Sequence, residues 1–76
     1  MNENSVPLQR ILRLKRVKEK TGISGSSIYN KINHRSKYYD EEFPKPIRLS
    51  AGAVGWSEAE IDKWIALRMR ERANCE

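Results

Sequence analysis

Between Ser24 and Asn33 the chain carries Ser26, Ser27, Tyr29, Asn30 and Lys31 and no acidic residue. Hydroxyl, phenol, amide and ammonium groups hydrogen-bond phosphate oxygens, and an asparagine amide pairs bidentately with the major-groove edge of adenine. The chemistry on offer is recognition of a polyanion. A reaction is not supported, because His34 is the only histidine and stands in a basic loop with no evident acid or nucleophile partner. No second His, Cys or carboxylate lies at metal-ligand spacing, so the sequence carries no candidate catalytic residue, metal site or cofactor. Taken alone, those polar side chains also fit the solvated face of any small helix.

The elements that must position them give the stretch its meaning. Leu14 and Val17 precede a turn, and Ile23, Ile28 and Ile32 follow it, with Ile28 and Ile32 four apart on one helical face. Gly22 follows Lys20 and Thr21, where a left-handed residue closes a helix at no steric cost. Ser24 stands where an N-cap hydroxyl accepts from the amide of Ser26 or Ser27. The pattern predicts a first helix over Lys15 to Lys20 and a second from Ser24 to Asn33. Together these form a helix-turn-helix whose second helix is the candidate reader of DNA. Ile11-Leu12-Arg13-Leu14 fits a short strand or an early helical turn equally well.

Charge supports the same direction. The 76 residues hold 15 Lys and Arg against 10 Asp and Glu, for a net charge of +5. Residues 1–49 carry 11 basic and 5 acidic side chains, whereas residues 50–76 carry 4 and 5, so the excess lies in the front part. A basic half on a near-neutral half suits one surface facing a polyanion. The length allows one domain with a small core. The single cysteine, Cys75, excludes an intramolecular disulfide. The absence of a leader-type apolar segment or a stretch of membrane-spanning length points to a cytoplasmic protein without a membrane partner.

Downstream of Ile32, residues 33–42 have no hydrophobic period, a basic portion and then Asp40, Glu41 and Glu42. This is a surface loop in which Arg35 and Lys37 reach phosphates, Tyr38 or Tyr39 covers the core edge, and the acids face away from DNA. Phe43 to Trp56 reads as a β-hairpin: Ile47 and Leu49 share a face opposite Arg48, and Val54 and Trp56 share a face beyond a four-residue turn, Ser50–Ala53. In that turn Gly52 is available for positive φ. Pro44 and Pro46 confine the first strand to an edge. Such a hairpin is marginal alone and must pack on the helices. Beside a helix-turn-helix it is a wing carrying Lys45 and Arg48. Ser57 and Glu60 form a capping box for a last helix over Glu58 to Arg72, with Ile61, Trp64, Ile65 and Arg68 along one stripe. Trp56 and Trp64 read as core anchors, and Arg68, Arg70 and Arg72 suit the negative end of the helix dipole.

These segments together resemble the AlpA family of prophage regulators: Ile11 to Leu14, Thr21 to Tyr29, the run Phe43-Pro44-Lys45-Pro46-Ile47-Arg48-Leu49, Ala53-Val54-Gly55-Trp56 and Glu60-Ile61-Asp62-Lys63-Trp64-Ile65. The resemblance covers residues 10 to 70 and rests mainly on the last three segments, since a helix-turn-helix is common. It departs in a longer loop from His34 to Glu42 and in Asn30, where an Arg is common. Membership implies a small winged-helix protein, related to excisionases and MerR-type domains, that activates prophage integrase genes or directs recombination. It also implies that Ser26, Ser27, Tyr29 and Asn30 lie on the reading helix and that Lys45 and Arg48 flank the wing.

The expectation is a mainly α fold with a small β-hairpin: a winged helix-turn-helix over residues 10–72, after a flexible leader (1–9) and before a tail (73–76). Its expected function is sequence-specific DNA binding in transcriptional regulation of prophage or mobile-element genes, with control of integrase expression. Double-stranded DNA is the expected partner, bound by Ser24, Ser26, Ser27, Tyr29, Asn30, Lys31, Arg35, Lys37, Lys45 and Arg48. Further partners are a second copy of the chain and either integrase or RNA polymerase. Two alternatives stand beside it. One is an excisionase-like factor that bends attachment-site DNA. The other is a protein-interaction module that sequesters a regulator or integrase through the Ile61–Arg68 helix or the tail.

Overall fold

The structure, a computed structural model, describes residues 10–74, the last two by backbone alone. The proposed leader, and Cys75 with Glu76 at the end of the tail, lie outside the described residues. Ile11–Leu12 forms β1, which settles the strand-or-helix ambiguity in favour of a strand. Two helices follow, α1 (Leu14–Thr21) and α2 (Gly25–Ile32). Then come β2 (Ile47–Ser50), β3 (Ala53–Ser57) and α3 (Glu58–Asn74). The helix continues to Asn74, two residues past the expected end, so the region assigned to the tail begins as helix.

The turn between α1 and α2 is built from its own residues. Gly22 takes φ 74° and donates its N–H to the Lys18 carbonyl at 2.8 Å, closing α1 in the left-handed conformation that glycine adopts freely. The Thr21 hydroxyl donates to the Val17 carbonyl at 2.7 Å and accepts from the Ile23 N–H at 3.2 Å. The Ser24 hydroxyl accepts from the Ser27 N–H at 3.2 Å, the cap expected from its position.

The sheet has three antiparallel strands in the order β1-β3-β2, not the two of a simple hairpin. Ile11 faces Ser57 and Leu12 faces Trp56, so the segment before the helices closes the inner side of the wing. The β2 strand lies at an edge, as expected, although Pro44 and Pro46 precede the strand rather than falling within it. Between β2 and β3 the turn is Ala51-Gly52 rather than four residues: Ser50 pairs with Ala53, and the register slips between Arg48 and Ser50. Such a slip inserts one extra residue and lets a short turn close the hairpin. Gly52 adopts no positive φ. Its N–H donates to the Ser50 carbonyl at 2.9 Å, a three-residue turn.

Val17, Ile28, Phe43, Trp56, Ile61 and Trp64 form the core, flanked by Leu12, Leu14, Ile23, Ile32, Val54 and Ile65. Trp56 and Trp64 are the anchors their size suggests. Phe43, which the hairpin pattern did not mark as core, packs edge-on against Trp64 with ring centroids 5.0 Å apart. The hairpin reaches this core through Val54 and Trp56. Ile47 and Leu49 lie on the opposite, exposed face of the sheet, over Gly55.

A candidate nucleic-acid interface

The outer side of α2 is set by Ile28, whose complete burial turns the helix so that Ser26, Ser27 and Tyr29 are exposed. No acid lies in its first turn, which leaves the positive end of the helix dipole open to an anion. Ser24 and Ser27 share a hydroxyl–hydroxyl hydrogen bond of 3.1 Å beside the cap. Asn30 and Lys31 are half-buried. The Lys31 ammonium sits 5.5 Å from the centre of the Trp64 ring, a cation–π contact that ties it to α3.

Arg35 and Lys37 lie on a loop that is longer than most connections yet ordered by a succession of turns. Ser36 N–H donates to Asn33 O, Tyr39 N–H to Ser36 O and Phe43 N–H to Asp40 O. Side-chain oxygens add to this: Asn33 accepts from the Arg35 N–H, Ser36 from the Tyr38 N–H and Asp40 from the Glu42 N–H. The loop is fastened at both ends. Asp40 N–H donates to the Lys31 carbonyl at 2.9 Å, and the Asp40 carboxylate accepts from the Trp64 indole N–H at 3.1 Å. Glu42 pairs with Arg68 at 2.7 Å. Two of the three acids of the loop are thereby engaged by α3.

Burial raises the Asp40 carboxyl, but the Trp64 and Glu42 N–H groups and the Lys31 and Arg68 charges outweigh it, leaving the group below its usual value. Lys20, on α1, is held above its ordinary value by hydrogen bonds to Asp62 and Glu58, at 2.8 and 2.7 Å. These bonds tie the end of α1 to the start of α3.

The tyrosines divide. Tyr39 is half-buried, its ring tilted against that of His34 with centroids 4.6 Å apart and the Lys45 ammonium 6.0 Å from its centre. Tyr38 does not cover the core: it is 62% exposed, with the Lys37 ammonium 5.3 Å from its ring. Arg48 is exposed on β2, next to the Ala51-Gly52 turn. The structure therefore gathers Ser24, Ser26, Ser27, Tyr29, Asn30 and Lys31 on one helix and Arg35 and Lys37 on the loop after it. Lys45 joins that loop through Tyr39, and Arg48 stands apart on the hairpin.

Two features of this surface escaped the sequence reading: the exposure of Tyr38 and the fastening of the loop through Asp40–Trp64 and Glu42–Arg68. Those bonds join residues 24 and 26 positions apart, and no local period signals them. Among the described residues, no group of three or more His, Cys, Asp or Glu is placed to hold a metal ion. No helix among them is long and apolar enough to cross a membrane.

A helix-turn-helix with a strand ahead of it, a β-hairpin behind it and a closing helix defines a winged helix-turn-helix protein. The chain belongs to the family of the prophage CP4-57 regulatory protein (AlpA), whose family model matches residues 10–72. It is 48% identical over 61 residues to the DNA-binding transcriptional activator AlpA of Escherichia coli (strain K12), covering 80% of this chain and 87% of the relative. No solved structure matches the chain.

Proposed function

We propose that this protein is a sequence-specific DNA-binding regulator of transcription that acts on prophage or mobile-element genes and controls integrase expression. The observation that carries the reading is the exposed, acid-free side of α2, held at a fixed angle by the buried Ile28. The name of the Escherichia coli relative supports it. In this reading α2 enters the major groove, and the Ala51-Gly52 turn approaches the adjacent minor groove or backbone. Tyr29 and Asn30 contact bases. Ser24, Ser26, Ser27, Lys31, Arg35, Lys37, Lys45 and Arg48 fix position on phosphates.

A module this small makes few contacts, so paired copies or repeated sites raise its affinity. Integrase or RNA polymerase is the protein partner in this scheme, and the working compartment is the cytoplasm.

The test is binding to a duplex selected from a randomised library, titrated with salt against a scrambled competitor. Arg35, Lys37, Lys45 and Arg48 are exposed cations of the set. If these four and the half-buried Lys31 all reach phosphates, log affinity falls with log salt at a slope of about −4.5. Binding that does not distinguish the selected duplex from the scrambled one overturns the reading.

A further inference from the structure

The loop after α2 also shapes the surface that α2 presents. Ile23, Ser27, Asn30, Lys31 and Tyr38 line one shallow groove along that helix. Its lining mixes two chemistries: Ile23 and Tyr38 carry apolar surface, while Asn30 and Ser27 carry an amide and a hydroxyl.

The groove is held open before any ligand arrives. The Ser36 hydroxyl accepts the Tyr38 N–H at 3.0 Å, and the Asp40 N–H bonds the Lys31 carbonyl at 2.9 Å. On the groove side, Lys31 presents its stem, because its ammonium lies against Trp64. Lys37 places positive charge beside the Tyr38 ring, 5.3 Å from its centre. An occupant therefore meets an apolar contact, an amide and a cation together on one surface.

One feature of the major groove offers the complement of all three. Adenine presents an acceptor and a donor to an asparagine amide, thymine projects a C5-methyl group, and the phosphates alongside are anionic. We propose that this groove reads an A·T step, with Ile23 and Tyr38 seating a thymine methyl while Asn30 pairs with adenine and Lys37 lies toward the phosphates. Tyr38 is then a specificity-determining residue of the loop rather than a cover for the core. This inference rests on α2 being the major-groove helix.

Replacing thymine by deoxyuridine removes the C5-methyl and nothing else, which makes the proposal testable without knowing the natural site. The full chain is first used to select a duplex from a randomised 20-base-pair library. Each thymine of that duplex is then replaced in turn. At one position wild type should bind about fourfold more weakly, the ratio expected for one apolar carbon withdrawn from water. Tyr38→Phe should keep that ratio. Tyr38→Ala should bind the thymine duplex more weakly and shrink the ratio toward one, with Ile23 left as the remaining apolar contact; because Tyr38 is largely exposed, this change leaves the core intact.

Indifference of wild type to deoxyuridine at every position of a duplex it selects overturns the groove assignment and leaves the DNA-binding reading in place. An undiminished ratio in Tyr38→Ala does the same. Failure to select any duplex overturns both.

Discussion

Gly55 allows a magnitude to be worked from geometry. It lies in β3, the central strand, and a Cβ built there runs into the Ile11 side chain. That Cβ would also stand 3.1 Å from the Leu12 carbonyl oxygen and 3.2 Å from the end of Leu49. The Leu49 side chain can swing away at an exposed position. The Leu12 oxygen belongs to the backbone of β1 and cannot shift without disturbing the β1–β3 pairing. Overpacking costs about 1–3 kcal/mol, and a backbone obstacle places Gly55→Ala near 3 kcal/mol, the upper part of that range. A chain of this length has roughly 4–11 kcal/mol of total stability, so the loss is a large fraction. At about 4–8 °C per kcal/mol for a small domain, Tm falls by roughly 12–24 °C.

The assay is thermal unfolding followed by circular dichroism, with Gly52→Ala as control. A Cβ at Gly52 meets nothing within 4 Å, and the residue has no positive φ. Its substitution leaves Tm unchanged or raises it slightly, because the unfolded chain loses freedom. Gly22→Ala separates the other contribution: space is open there, but φ is +74°, so the cost is about 1–2 kcal/mol from backbone conformation alone. If Gly55→Ala melts with Gly52→Ala, the steric reasoning is refuted.

Other consequences concern the site and its supports. Asn30→Ala should relax preference at one base position of a selected duplex and cost about 1–3 kcal/mol there, measured by competition against single-base variants. Ser24→Ala removes the cap on Ser27 and should cost about 1 kcal/mol of stability, read from chemical denaturation. Because the folded Asp40 carboxyl titrates below its ordinary 3.8, its ionised form stabilises the fold above that value and the contribution is lost as pH falls through the folded value. Asp40→Asn should therefore lower Tm at neutral pH, and the gap from wild type should close on acidification; a gap independent of pH counts against the assignment.

Much of this protein is written locally. The Gly22 turn and Ser24 cap, the spacing of Ile28 and Ile32, the edge placement of β2 and the start of α3 after Ser57 all follow from the preferences of a few neighbouring residues. For that reason the helix-turn-helix and the wing could be read along the chain. The exposure of Ser26, Ser27 and Tyr29 was legible too, because burying Ile28 dictates which side chains face outward, whereas Asn30 and Lys31 are half-buried.

What tertiary structure decided are the pairings between distant segments. Ile11–Leu12 had no local reason to be strand rather than helix; the free edge of β3 made it a strand. The hairpin turn shortened because the register slipped between Arg48 and Ser50. Phe43 became core by meeting Trp64, and the loop from Asn33 to Glu42 acquired its shape when Asp40 and Glu42 found Trp64 and Arg68 on α3. Composition gives a tyrosine in such a loop no direction. The long-range hydrogen bonds that fasten the loop leave Tyr38 outside beside Asn30, because a contact between residues far apart in the chain has no period from which it can be read.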